Sequence, residues 1–196
     1  MTGVQTCALP ILRELASGTL TAAGRVGYVP EDRHRHGLLL PAPAWENVLL
    51  GRQGEPAFGR PWALNREAAQ ELTAKVVRDY DVRPPEPDQP AGAFSGGNQQ
   101  KLIVGREIAK EPALLVVAHP TRGVDLGATR LIHEKILRAK AAGCAVLLIS
   151  ADLDEVLALP DRIAVLCHGK VMGQCSRAEA KLEKLGLWMA GVEGGA

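Results

Sequence analysis

The chain has 196 residues, 46% of them hydrophobic and 23% charged, with a formal net charge of +1. That length and composition suit one sizeable globular core, and a near-neutral balance without a basic run argues against a nucleic-acid partner. No apolar stretch is long enough to span a bilayer, so any role at a membrane has to pass through a protein partner.

In chain order, Met1 to about Leu12 is uncharged, lacks the basic start of a signal peptide and breaks off at Pro10. It is similar to translated sequencing-adapter sequence, and residues 1–14 are set aside as a non-native or disordered segment. Residues 17–21 and 24–29 are β-rich runs separated by Gly, the pattern of a hairpin leading into a strand. Residues 29–38 read as a strand end entering a charged loop, where His34 and His36 alternate with Arg. Two imidazoles flanked by guanidinium groups, with no third ligand nearby, predict a solvated loop and no metal site. Residues 45–50 predict a short amphipathic helix, and Arg66–Asp79 a longer one with Leu72, Val76 and Val77 on one side. Four prolines between Val82 and Pro90 require an extended loop.

The octapeptide Phe94, Ser95, Gly96, Gly97, Asn98, Gln99, Gln100 and Lys101 follows. A Ser before two Gly lets the backbone approach an anion without a Cβ in the way. A helix running from Asn98, capped by Ser95, would aim free N–H groups and its positive end at that anion. Taken alone, the tripeptide is more often a capped surface helix behind a Gly turn. The helix is expected to reach about Lys110, where Pro112 stops it. Residues 113–118 form the continuous apolar run of a buried parallel strand. Asp125 would cap a helix from Leu126 to about Ala142. Residues 144–150 predict a second buried strand, residues 161–166 and 170–174 a hairpin through His168 and Gly169, and residues 177–189 a helix before a Gly-rich tail. Cys7, Cys144, Cys167 and Cys175 form no CxxC pair, and reduced structural thiols in a cytoplasmic setting are expected. The strand–helix alternation supports an α/β core with a helical insert.

The octapeptide resembles the signature motif of ATP-binding-cassette (ABC) ATPases. Its SGGNQQK form is similar to that of the second nucleotide-binding domain in sugar- and nucleoside-importer subunits. The run PTRGVD, Pro120 to Asp125, resembles the D-loop of the same group. The loop after Val29 resembles the Q-loop, and residues 161–174 the closing strands, in the family's order from Leu15 to about Gly173. The resemblance implies an α/β fold: an ABC ATPase core sheet with a helical signature subdomain at about 42–110, inside a partial nucleotide-binding domain at 15–175, with a C-terminal helix and tail at 176–196. The segment from Gly18 to Arg25 fails the pattern GxxxxGK[ST] in spacing and in its Lys. The core is therefore expected to lack the Walker A strand, loop and helix, and the sequence to be truncated on its N-terminal side.

Residue by residue, the resemblance implies that Ser95, Gly96, Gly97, Asn98 and Gln99 contact ATP held in trans by another domain. It implies that Glu31, in place of the usual Gln, helps hold Mg²⁺ and the attacking water, and that Asp125 reaches across a domain interface. The positions of the Walker B Asp and catalytic Glu are Ala118 and His119. A methyl group binds no metal. The imidazole of His119 can in principle accept a proton, but without a neighbouring carboxylate a structural or tuning role is expected. Ala151 stands where the family's switch His would be, before Asp152. ATP and Mg²⁺ would thus be bound mainly through the missing or partner domain, with no metal ligands of this chain's own.

The function implied is part of the ATP-hydrolysing subunit of an ABC importer for simple sugars or nucleosides, with the fragment alone inactive. The implied partners are the other nucleotide-binding domain or a second copy, transmembrane permease subunits and, indirectly, a periplasmic or lipid-anchored solute-binding protein. The implied location is peripheral, on the cytoplasmic face of a bacterial membrane. Two alternatives stand beside it: a non-hydrolysing regulatory half-domain, and a soluble ABC protein not linked to transport.

Overall fold

The computed structural model describes residues 24–60 and 63–192. The N-terminal segment 1–14, the first arm of the expected hairpin at 17–21, and Cys7 lie outside the described residues. The chain divides into two compact units, with the boundary between Leu147 and Leu148.

In the unit of residues 22–147, strand β1 (Val26–Val29) pairs in parallel with β4 (Leu114–Ala118), Val26 opposite Leu114 and Val29 opposite Val117. Strand β5 (Ala145–Ile149) completes a three-stranded sheet in the order β1, β4, β5. The expected buried strand is present in β4, where Leu115, Val116 and Val117 are fully buried, each contributing about 1.5–3 kcal/mol by leaving water. The expectation of a second buried strand is corrected: β5 is formed, but its residues are half-buried or exposed, and Leu147 is 47% exposed. An unbroken apolar run records that both faces are apolar, whereas burial depends on what covers them, and among the described residues β5 is the last strand of this sheet.

Between β1 and β4 lie α1 (Ala44–Leu49), a small antiparallel pair β2 (Gly59–Arg60) and β3 (Ala63–Leu64), α2 (Arg66–Asp79) and α3 (Gly96–Ile108). The expected helix faces are right in substance, since Val76 and Val77 are buried and Leu72 packs against the cluster of Leu49, Phe58 and Ala69. The β2–β3 pair has no counterpart in the sequence reading. Helices α2 and α3 meet at Gly105, where an added Cβ would lie 2.5 Å from Val76 Cγ1 and 3.1 Å from Tyr80 Cδ2. Buried Asn47 organises the entry to α1. Its Oδ1 accepts from Leu39 N–H at 2.8 Å, while its Nδ2 donates to the carbonyls of Leu39, Ala42 and Pro43. The loop after β1 is more ordered than a solvated loop: residues Arg33–Gly37 form a π-helical turn, because Asp32 Oδ1 accepts from the N–H groups of His34 and Arg35. Helix α4 (Leu126–Ala141) follows the loop after β4.

In the unit of residues 148–196, α5 (Leu153–Ala158) precedes the hairpin of β6 (Arg162–Cys167) and β7 (Lys170–Ser176), and α6 (Leu182–Met189) packs on that hairpin. Ile163, Val165, Cys175, Leu185 and Trp188 form its core. The helix expected over 177–189 is shorter. The carboxylate of Glu179 accepts from Ser176 N–H at 3.0 Å and Ser176 Oγ–H at 2.8 Å, which closes a single 3-10 turn, Arg177–Glu179. Ala180 and Lys181 are extended, so α6 starts afresh at Leu182.

Candidate functional site

Helix α3 starts two residues earlier than Asn98, at Gly96, with Ser95 as its cap. Ser95 Oγ accepts from Asn98 N–H at 3.4 Å and from Asn98 Nδ2 at 3.0 Å. The same carboxamide accepts from Arg83 N–H at 3.1 Å and donates to Arg83 O at 2.7 Å, which ties the proline-rich loop to the helix start. Ser95 is exposed and Gly97 buried. As the first residues of α3, Gly96 and Gly97 have N–H groups without an intrahelical acceptor, pointing out of the positive end of the helix. The Gln99 side chain turns inward. Its Nε2 donates to Ala91 O at 3.2 Å, which leaves Oε1 for His34 Nε2 at 2.8 Å and places the imidazole proton on that nitrogen.

The loop between β4 and α4 comes beside this start. His119 and Gly123 both take left-handed backbone conformations, with φ of 48° and 67°, and Arg122 N–H donates to His119 O at 3.1 Å. The chain therefore turns sharply at the end of the strand. Asp125 caps α4 as expected: its Oδ1 accepts from Ala128 N–H at 2.9 Å. That N–H is the main reason its carboxyl sits below the usual carboxylate range, followed by backbone donors nearer in the chain and the Lys101 ammonium. A Cβ on Gly97 would lie 3.0 Å from Asp125 Oδ2 and 3.4 Å from Ala128 Cβ, so the starts of α3 and α4 are in close contact.

A third segment closes the arrangement. Glu31 forms an ion pair with the Arg122 guanidinium, and Arg33 Nη1 donates to Arg122 O at 3.0 Å. A Cβ on Gly96 would lie 2.7 Å from Arg33 Nη2. The two glycines thus make room for Arg33 and Asp125, a constraint that the sequence reading assigned only to the approach of an anion. Arg33 and Arg122 were missed because basic residues in a loop read as solvated, and nothing in their local sequence sets them apart from such residues.

The structure brings Glu31, Ser95, Gly96, Gly97 and Asp125 into one neighbourhood, with Asn98 and Gln99 bracing it from behind. At the end of β4, Ala118 is buried and His119 half-buried. Among the described residues no group of three or more His, Cys, Asp or Glu is placed to hold a metal ion. Ala151 lies in the other unit, exposed ahead of α5, whose start is capped by Asp152. The arrangement offers an exposed hydroxyl, oriented N–H donors, the Asp125 carboxylate and a Glu31 carboxylate paired with Arg122: groups able to bind and orient a phosphate and a water molecule.

No family model matches the chain. The guanosine import ATP-binding protein NupO of Bacillus subtilis is 40% identical over 194 residues, covering 92% of this chain and 38% of that protein. The nucleoside import ATP-binding protein NupA of Lactococcus lactis is 41% identical over 166 residues, covering 85% of this chain and 33% of that protein. The glucose import ATP-binding protein TsgD13 of Haloferax volcanii is 38% identical over 196 residues, covering 92% and 36%. The chain spans about a third of the length of the curated relatives it matches. Among solved structures, an inward-facing ABC transporter matches with a TM-score of 0.78 at 15% identity, covering 97% of this chain and 75% of that one. The dimeric post-hydrolysis state of the ATP-binding cassette MJ0796, bound to ADP and Pi, matches with a TM-score of 0.64 at 21% identity, covering 78% and 63%. At such identities the likeness shows the fold, which is that of ABC ATPase cassettes.

Proposed function

We propose that this chain, with its cassette fold and its nucleoside- and sugar-import relatives, is part of the second nucleotide-binding domain of an ABC importer's ATP-binding subunit. It supplies the signature half of a composite ATP site. The observation that carries this is the start of α3, with Ser95 exposed, the N–H groups of Gly96 and Gly97 without an intrahelical acceptor, and Gly97 against Asp125. ATP held by a second domain presents its terminal phosphate to them. Ser95 Oγ–H and the N–H groups grip the phosphate oxygens, and fixed donors aimed at that charge lower the barrier electrostatically. Asp125 orients water at the interface. Mg²⁺ would be held mainly by the other domain, with Glu31 helping, and would supply positive charge against the phosphates; Ala118 carries no group that could bind it.

No helix among the described residues is long and apolar enough to cross a membrane. Permease subunits, reached through the loop after β1, are the proposed route to the membrane, and a solute-binding protein acts on the far side. The solute class follows the relatives, nucleosides or simple sugars. A second reading, favoured by Ala118 and His119, is a half-domain whose own site never hydrolyses and only completes its neighbour's.

The test is ATPase and uptake by the full-length subunit assembled with its permease. Ser95→Arg, which fills the anion's place, abolishes both. If Ser95→Arg left turnover near wild type while Ala118→Asp with His119→Glu raised it sharply, the catalytic site would be this domain's own and the trans-acting role would fail.

A further inference from the structure

The loop after β1 grips a single residue of the α4 loop in two ways. Glu31 holds the Arg122 guanidinium and Arg33 holds the Arg122 carbonyl, across 91 and 89 residues of sequence. Beyond that carbonyl, the Arg33 guanidinium lies between the backbones of Gly96 and Gly123, with an added Cβ 2.7 Å away at the first and 3.8 Å at the second. One residue further, His34 bonds Gln99 on α3. A cation at the positive end of a helix is unfavourable by itself. The Arg122 carbonyl and the space at Gly96 hold Arg33 there, and Glu31 offsets the two neighbouring guanidinium charges. The turn through His119 and Gly123 fixes where that carbonyl points.

We propose that Glu31, Arg33 and Arg122 form a latch that holds the Ser95 turn and the Asp125 loop in register, with Arg122 a positioning residue for the composite site. Arg122 acts through its neighbours: it sets how far the Ser95 hydroxyl stands from the Asp125 carboxylate. The consequence for turnover rests on the function proposed above, whereas the latch is a property of this chain. The Arg122 side chain is 68% exposed and that of Glu31 25%, so the pair is open to salt and modest in strength. A contact of that kind is adjustable by whatever moves the loop after β1.

The test uses Arg122→Glu, Glu31→Arg and the double variant, each checked for native circular dichroism. In the 196-residue chain, amide exchange at Gln99 and Val124, whose N–H groups bond Ser95 O and Thr121 O, accelerates about two- to fivefold in each single variant, as suits an exposed pair. The double variant returns it to wild type. In the full-length subunit with its permease, kcat falls in the single variants at unchanged KM for MgATP and recovers in the double. Unchanged exchange in the single variants, or additive effects in the double, overturns the latch. A shift in KM alone, or unchanged kcat with altered exchange, overturns the positioning role. A wild-type assembly without ATPase activity sinks the functional reading, and exchange then decides the latch on its own.

Discussion

Removing the Arg106 guanidinium tests the packing that holds α3, and with it Ser95, in place. The Arg106 side chain is 6% exposed and that of Glu107 5%, and Arg106 Nε meets Glu107 Oε1 at 2.7 Å. Arg106 Nη1 donates to Gly37 O at 2.8 Å and to Asn47 O at 3.3 Å, joining α3 to the β1 loop and to α1. Glu107 Oε2 accepts from Tyr28 N–H at 3.2 Å, and Lys110 Nζ reaches both carboxylate oxygens at 2.9 Å. Breaking a buried pair by removing one member costs about 3–5 kcal/mol. Arg106→Met leaves Glu107 paired with Lys110 but takes the guanidinium donor from Gly37 O and from Asn47 O, the latter keeping Leu50 N–H at 3.4 Å, which places it at about 3 kcal/mol. Glu107→Gln strands two cations, one of them a Lys110 that burial already holds below the usual lysine range, and belongs at about 5 kcal/mol. Against a total of roughly 5–15 kcal/mol, either is severe. Native-state amide exchange at Leu102, Ile103 and Val104 reads the change within this unit. A loss below about 1 kcal/mol for both variants, or Arg106→Met costing more than Glu107→Gln, would refute the argument that uncompensated buried charge is the dominant cost.

Gly105→Ala drives a methyl into Val76 and Tyr80 and destabilises by about 1–3 kcal/mol; urea midpoints measure it. Asp125 has its folded pKa depressed by Ala128 N–H, so its contribution is present above the ordinary aspartate value of about 3.9 and is lost as pH falls through the folded value, where the unfolded chain binds more protons. Asp125→Asn therefore keeps the α4 cap and flattens the acid limb of stability measured from pH 6 downwards. Calorimetry on the 196-residue chain gives weak or no MgATP binding, because the signature side supplies only half of a phosphate site; low-micromolar affinity would contradict the composite reading.

The features readable in advance are those decided within a few residues. Ser95 and Asp125 cap their helices through N–H groups three positions on, and β4 is an apolar run whose composition suits burial on both faces. The same locality explains α2, whose bounds follow from Asn65 as its cap and from its apolar spacing. The breaks after Glu179 also obey local chemistry, but there a Ser–Glu capping pair competes with helical period and wins one turn only. Tertiary structure decided what depends on residues distant in the chain. Arg106 and Glu107 look like surface charges of an ordinary helix until Gly37, Asn47 and Tyr28 are brought to them. Gly96 reads as an opening for an anion until Arg33 occupies the space beside it. Whether an apolar strand is covered, as β4 is and β5 is not, is set by its neighbours in the sheet and not by its own side chains. Caps and periodicity act over one helical turn, whereas ion pairs and burial are made between segments that only folding brings together, as where Gly97 on α3 meets Asp125 at the start of α4.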